Sequence, residues 1–417
     1  MTSQSADSLV GLHWESGDTV FDLSLNVGTW QTTGNPSYTV KQTAVQSLAD
    51  TLSELQGTRR LENVSNAADY GIEGGSFQVT ASWSDGTQTT YTLGDATPFA
   101  DGYYLQLSDS ADVYTITTNL SSTFSKTLTD MASMESIQTA ETITRVTVGS
   151  AFDITWREES NTVNPDQHWY DTVSGIALDD SKAQSIADGV ASLRWDSLVS
   201  VSASEEELTE WQLDDEATQI ICYDGDAASS TLLIGTNNRS GDYYARLPGS
   251  LMVYTVSADD LDSLMSANVQ TLRATALLPL SWEYLAEAEL TVDKGTYTIL
   301  SPALDENQEV STDTEEEMDG AEETETEDES DDAENQAMDL WETISGLQVN
   351  EWVENADQTV SPLFAIHAVS QEEKQITVAF YEYDAEKYLA VIDEGQAALI
   401  SAEKIDSILR VVRLMVP

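Results

Sequence analysis

The sequence predicts an α+β fold built from three tandem repeated modules, each a curved, mainly antiparallel sheet with amphipathic helices packed on one face. Three observations predict it. One helix pattern recurs three times, strand hairpins precede it, and alternating segments with matching ends follow it.

The helix pattern is Val45, Leu48, Ala49, Leu52 and Leu55. It returns as Ala183, Ile186, Ala187, Val190 and Leu193, and again as Ala337, Leu340, Trp341, Ile344 and Leu347, at offsets 0, 3, 4, 7 and 10 each time. These offsets place the apolar side chains on one face of an α-helix. Such a helix needs a second layer to cover its stripe. Recurrence over a long period describes a scaffold rather than a chemistry.

The hairpins come first in each module. Gly17 is followed by Val20-Phe21-Asp22-Leu23, Gly149 by Ala151-Phe152-Asp153-Ile154, and Gly295 by Tyr297-Thr298-Ile299. Glycine accepts the positive φ of a tight hairpin. After the helix, Phe77, Val79, Ala81 and Trp83 share one strand face, as do Ile220 and Cys222, and Phe364, Ile366 and Ala368. Asp85-Gly86, Asp224-Gly225 and the charged Gln371–Lys374 segment supply the following turns.

The module ends agree best. Tyr91-Thr92-Leu93-Gly94, Gly102-Tyr103-Tyr104-Leu105 and Val113-Tyr114-Thr115-Ile116 match Leu232-Leu233-Ile234-Gly235, Asp242-Tyr243-Tyr244-Ala245 and Val253-Tyr254-Thr255-Val256. The third module is looser, with Lys387-Tyr388-Leu389-Ala390 and Ala398-Leu399-Ile400. A closing helix follows Ser257 and again Ser401, each an N-cap candidate with acids in the first turn; after Asn119 only a weak version remains. Each module thus reads β-β-α-β-β-β-β-α. The expected divisions are residues 1–135, 136–278 and 279–417, the last interrupted by an acidic, disordered insertion at 304–336.

Charge narrows the partners. The formal net charge is −57, from 74 acidic and 17 basic residues, and 305–334 holds seventeen Asp or Glu with no Lys or Arg. Such a run repels itself and buries no apolar area, which predicts disorder and a solubilising spacer. No basic stripe offsets the repulsion of a phosphate backbone, so nucleic acid is excluded as a partner, and anionic lipid is disfavoured likewise. The single cysteine, Cys222, permits no intramolecular disulfide and reads as a buried thiol on a strand. The start is polar, and no apolar run is long enough to cross a bilayer. Two expectations follow: a cytosolic protein, or one whose N-terminal anchor lies outside this chain.

Candidate chemistry is sparse. His13, His168 and His367 occupy different modules and none has a partner at zinc-site spacing, so structural roles are favoured. A triad assembled from distant residues stays open, although no G-x-S-x-G elbow is present. Asp224-Gly225-Asp226 begins like a calcium loop but lacks the later ligands, and reads as a turn. With no phosphate loop or dinucleotide fingerprint, no cofactor and no metal are expected. The remaining candidates are the strand pairs Tyr103-Tyr104 and Tyr243-Tyr244. One ring of each pair points inward to the core. The outward ring can line a sugar- or peptide-binding face, while ordinary packing is the favoured role.

At Tyr70-Gly71-Ile72-Glu73, with Tyr91-Thr92-Leu93-Gly94 and Gly102-Tyr103-Tyr104, the chain resembles the bacterial domain-of-unknown-function 4340 family. That family's words are a helix after a tryptophan strand (here Trp30, then 41–56), a "YGL" turn, a glycine-ended strand and a "YY" strand. Trp211-Gln212-Leu213-Asp214 stands at the turn position in the second module, and the third lacks it. The resemblance covers about residues 8–300. It implies a membrane-anchored, extracytoplasmic domain associated with gliding-type ABC-2 transporters, and brings no catalytic residues.

The expected function is therefore a non-catalytic interaction or scaffold protein of the cell envelope. Its implied partners are the membrane subunits of an ABC-2-type transporter, and its membrane contact is through an N-terminal anchor absent from this chain. Two alternatives stay open: a cell-wall glycan or peptide binding module using the tyrosine rings, and a hydrolase with a site between modules.

Overall fold

Hydrophobic alternation and helical periodicity resolve into three antiparallel sheets. The computed structural model describes residues 4–34, 36, 38–73, 76–99, 101–138, 140, 142–293, 295–301, 327–353, 361–393 and 395–415. Among the described residues the fold is α+β, as the sequence predicts.

The first sheet contains β1 (Leu9–Ser16), β2 (Thr19–Asn26), β3 (Thr29–Thr32), β4 (Gly57–Leu61), β5 (Gln78–Trp83), β6 (Gln88–Ala96), β7 (Tyr103–Leu107) and β8 (Val113–Ile116), in the order β3-β2-β1-β5-β6-β7-β8-β4. Helix α1 (Gln42–Ser53) lies between β3 and β4 in sequence, and short turns α2 (Leu120–Thr123) and α3 (Leu128–Met131) follow β8. The predicted stripe is the buried one: Val45, Leu48, Ala49 and Leu52 on α1, with Leu55 just beyond it. These residues share a core with Leu12, Trp14, Phe21, Leu23, Val79, Ala81 and Trp83. Trp14 stacks on Phe21 with ring centroids 4.5 Å apart and donates from Nε1 to the Phe124 carbonyl at 2.9 Å. Each such buried side chain contributes about 1.5–3 kcal/mol by leaving water.

The second sheet repeats the plan. It contains β9 (Arg145–Val148), β10 (Phe152–Trp156), β11 (Trp169–Asp171), β12 (Ser197–Ser200), β13 (Thr218–Asp224), β14 (Ala227–Asn237), β15 (Tyr243–Arg246) and β16 (Val253–Val256), in the order β11-β10-β9-β13-β14-β15-β16-β12. Its helices are α4 (Asp180–Ser192), α5 (Glu205–Glu210), α6 (Ala258–Ser266) and α7 (Val269–Leu272). Helix α4 buries Ala183, Ile186, Ala187 and Val190.

The third sheet contains β17 (Leu285–Val292), β18 (Gly295–Leu300), β19 (Glu351–Val353), β20 (Phe364–Ser370), β21 (Gln375–Glu382), β22 (Lys387–Ile392) and β23 (Gln396–Ser401), in the order β18-β17-β20-β21-β22-β23-β19. Helices α8 (Glu327–Ser345) and α9 (Ala402–Met415) pack on it. Trp341 is fully buried and donates from Nε1 to the Leu280 carbonyl at 2.9 Å. The expected insertion at 304–336 lies outside the described residues as far as 326; from Glu327 the backbone is helical.

Two features depart from the sequence reading. The chain adds a third strand to the opening hairpin in the first two sheets (β3, β11), and the strand after each helix (β4, β12, β19) crosses to the far edge to pair with the last strand. On β4 the residues Gly57–Arg60 are all exposed. An edge strand with no buried face shows no alternation to read. The closing helices form at Ala258 and Ala402, and the first module has only the one-turn α2, capped by Asn119 accepting from the Ser122 N–H at 3.2 Å.

By compactness the chain divides into two units. One is Met1–Thr139, Leu193–Ile220 and Ser230–Leu261; the other is Ala140–Ser192, Ile221–Ser229 and Asp262–Pro417. The division passes through the second sheet at β13 and β14.

Candidate functional site

Successive residues of a strand point to opposite faces of its sheet, and the Tyr103-Tyr104 pair obeys this. Tyr103 packs against the main core of the first sheet. Tyr104 turns to the other face, where the Tyr70 ring meets it edge-on with centroids 4.9 Å apart. Tyr243 and Tyr244 are both half-buried. Tyr244 stacks on Trp211 at 5.0 Å and packs against a small cluster of Ala203, Leu208, Leu213, Leu233 and Val253. Each second-position ring is therefore in contact with an aromatic ring of the same chain.

The coverage has a repeated backbone design. A one-turn 3-10 helix, Ala67–Tyr70, ends at Gly71 with φ 70°, which drops Ile72 onto the sheet. Helix α5 ends at Trp211, and Gln212 with φ 53° drops Leu213 in the same way. Gln212 thus takes the left-handed position of Gly71, although it carries a Cβ that this region disfavours. Both turns press a carbonyl onto a strand glycine: a Cβ on Gly94 would collide with the Tyr70 oxygen, and one on Gly235 with the Trp211 oxygen. The Thr236 N–H donates to the Trp211 carbonyl at 2.9 Å.

Within the first compact unit, one acidic residue ties the linker after α3 to the second sheet. The Glu135 N–H donates to Tyr254 Oη at 2.9 Å, its carbonyl accepts from Trp195 Nε1 at 2.7 Å, and its carboxylate accepts from Ser250 Oγ at 2.7 Å and Tyr254 Oη at 3.2 Å. Trp195 stacks on Tyr254 at 4.2 Å. Ala132, Val201 and Met252 close the cluster, with Tyr38, Leu128 and Leu198 against it. Burial pushes the hydroxyls of Tyr38 and Tyr254 up to about 12. A cavity of about 620 Å³ lies alongside, lined by residues that include Trp30, Gln42, Glu135 and Ser250.

The second unit is knit by polar contacts of its own. Tyr284 Oη donates to Asp166 at 3.2 Å, Lys374 Nζ donates to the Ser160 carbonyl at 2.9 Å, and Val163 joins the core of the third sheet. Of these residues the sequence pointed only to Lys374, as part of a charged turn.

The histidines stand apart in their contacts. His13 is exposed on β1, opposite Asp22 and Thr80. His168 stacks on Trp156 and its Nδ1 lies 2.9 Å from the Arg157 carbonyl, while His367 Nδ1 lies 3.1 Å from Thr377 Oγ1. Cys222 is buried on β13, 3.3 Å from Ser229 Oγ. Asp224-Gly225-Asp226 makes the β13–β14 turn, with Gly225 at φ 59°. No group of three or more His, Cys, Asp or Glu arranged to hold a metal occurs among the described residues. No helix among them is long and apolar enough to cross a membrane.

A protein-family model, the domain of unknown function DUF4340, matches the chain at residues 30–172 and again at 169–363. The chain belongs to the DUF4340 family. The matches cover most of its length, and each DUF4340 segment begins at a tryptophan strand, Trp30 on β3 and Trp169 on β11. The first runs through α1 and the rest of its sheet into the opening strands of the second, and the second runs through α4 and the rest of its sheet, past β17 and β18, to residue 363. The DUF4340 repeat is thus out of phase with the sheets. No curated protein and no solved structure matches the chain.

Proposed function

We propose that this protein is a non-catalytic scaffold of the cell envelope that serves as an accessory to an ABC-2-type export transporter. The observation that carries this reading is what the most repeated residues do. Tyr104 and Tyr244, Gly94 and Gly235, and the turns at Gly71 and Gln212 form a packing lock, used twice. Residues reused in this way hold a repeated scaffold together, which favours a structural role over a catalytic one. The Glu135 cluster supports the same reading, since it fixes one repeat against part of the next inside a compact unit. Membership of DUF4340 supports the transporter as partner, because the resemblance implies an association with gliding-type transporters. An acidic folded surface favours a protein partner over nucleic acid.

The test is co-expression of the chain with the membrane and ATPase subunits of a gliding-type ABC-2 transporter from the same genome, followed by detergent extraction. Co-elution of the chain with the membrane subunit in stoichiometric amount is the expected result. Separate elution under conditions in which the two transporter subunits stay together would overturn the proposal.

A further inference from the structure

One buried cation in the second compact unit lacks the carboxylate that would neutralise it. Arg273 follows α7 and is 7% exposed. In a chain with 74 acidic residues against 17 basic ones, carboxylates are abundant. Arg60, Arg145, Lys182, Lys374, Lys387 and Arg413 all pair with one. Arg273 pairs with none among the described residues. Its guanidinium makes one hydrogen bond there, from Nη2 to Gln396 Oε1 at 2.7 Å, and Nε is buried with no partner.

A desolvated charge in this state is costly. Burying an ion without a partner is strongly unfavourable, and a buried donor left unpaired adds to that cost. Burial accordingly pushes the Arg273 pKa down. The Trp352 ring offsets part of this cost: the guanidinium carbon sits 3.7 Å from its centroid. The ring covers one side of the group, and with Nε buried and one Nη2 hydrogen on Gln396, the remaining Nη hydrogens are the donors left for an acceptor. That planar fork is the geometry that receives a carboxylate through two parallel hydrogen bonds.

The surroundings define the guest. Arg273 lines a cavity of about 260 Å³, just below the roughly 300–1,000 Å³ of common ligand pockets, so the guest is small. Val163, Leu277, Ile376 and Ile392 give it apolar walls. Asp393 is also in the lining, accepting from the Thr377 N–H at 2.9 Å, and it disfavours a second negative charge on the guest.

We propose that this cavity binds a small organic monocarboxylate with an apolar body, its carboxylate on the Arg273 edge and its body against the apolar walls. This site is separate from the scaffold role and stands or falls without it. The same chemistry is offered by a free acid or by the C-terminus of a peptide.

The test is calorimetric titration of the whole chain with benzoate, with N-acetyl-leucine, with N-acetyl-leucine amide, and with inorganic phosphate. Saturable binding of benzoate, with no binding of the amide, is expected. Binding of N-acetyl-leucine as well identifies a peptide C-terminus as a source; its failure beside benzoate identifies a free acid. Arg273→Met is expected to keep the far-ultraviolet spectrum and the melting temperature of the ligand-free protein, since it removes an unpaired charge, and to weaken benzoate about thirtyfold or more. Arg273→Lys keeps the charge, loses the fork, and is expected to weaken benzoate about tenfold. No saturable binding of either acid would overturn the proposal. So would equal binding of phosphate, or benzoate affinity unchanged in both variants.

Discussion

At the scale of single residues, the two strand glycines are the most demanding positions. Gly94 and Gly235 have a carbonyl oxygen where a Cβ would stand, and backbone cannot step aside as a flexible side chain can. Gly94→Ala and Gly235→Ala are each expected to destabilise the protein by about 1–3 kcal/mol or more, read as a lower denaturant midpoint. Gln212 offers the opposite change. It is exposed and held at φ 53°, a region that glycine occupies without the Cβ penalty of about 1–2 kcal/mol. Gln212→Gly is expected to raise stability by about 0.5–1 kcal/mol after the entropy cost of glycine, measured the same way. The Tyr70-Gly71 turn was legible through the family resemblance, and Trp211-Gln212 only as the segment standing at the same position. Their contact with Gly94 and Gly235 was not, because a carbonyl approaching across a sheet leaves no periodic signal. Arg273 left only the faint signal of a base in an acidic chain.

At the scale of elements, the helices were the most legible part, since each buries one face and the stripe is written at helical spacing. The far-edge strands β4, β12 and β19 were illegible for the converse reason. The Glu135 cluster also escaped notice, because a linker residue acquires its role from three groups distant in sequence. Its strength can be measured. Tyr254→Phe removes the acceptor of the Glu135 N–H and the donor to its carboxylate, and is expected to cost about 1–3 kcal/mol. The same hydroxyl gives a pH dependence. Burial raises Tyr254 and Tyr38 to about 12, and burial with the Asp406 carboxylate does the same for Tyr388. A raised folded-state value means that the neutral phenol is favoured in the native protein. The stability it contributes is fully present below the ordinary value of about 10 and is lost as pH rises from there toward 12. Titration of phenolate absorbance should show these rings ionising late, together with loss of the near-ultraviolet dichroism. Ionisation of all sixteen tyrosines in one step near the ordinary value, with the fold intact, would refute this.

At the scale of the whole molecule, repetition is what the sequence showed most openly. The three sheets and the two DUF4340 segments bear it out. The phase of the repeat was harder to see. A module read from hairpin to closing helix describes the sheets, whereas the family's segment starts one strand before the helix and ends in the next sheet. The phase differs because the strand after each helix closes the far edge of a sheet whose first strands came earlier. The central claim is that the recurring aromatic rings hold this architecture together and do not present a binding face. Equilibrium denaturation of the full chain carrying Tyr104→Ala and Tyr244→Ala, beside its binding to a glycan and peptide array, tests that claim most directly. The account predicts a loss of about 2–5 kcal/mol at each position with array binding unaltered. Undiminished stability together with lost binding to a glycan or peptide would contradict it.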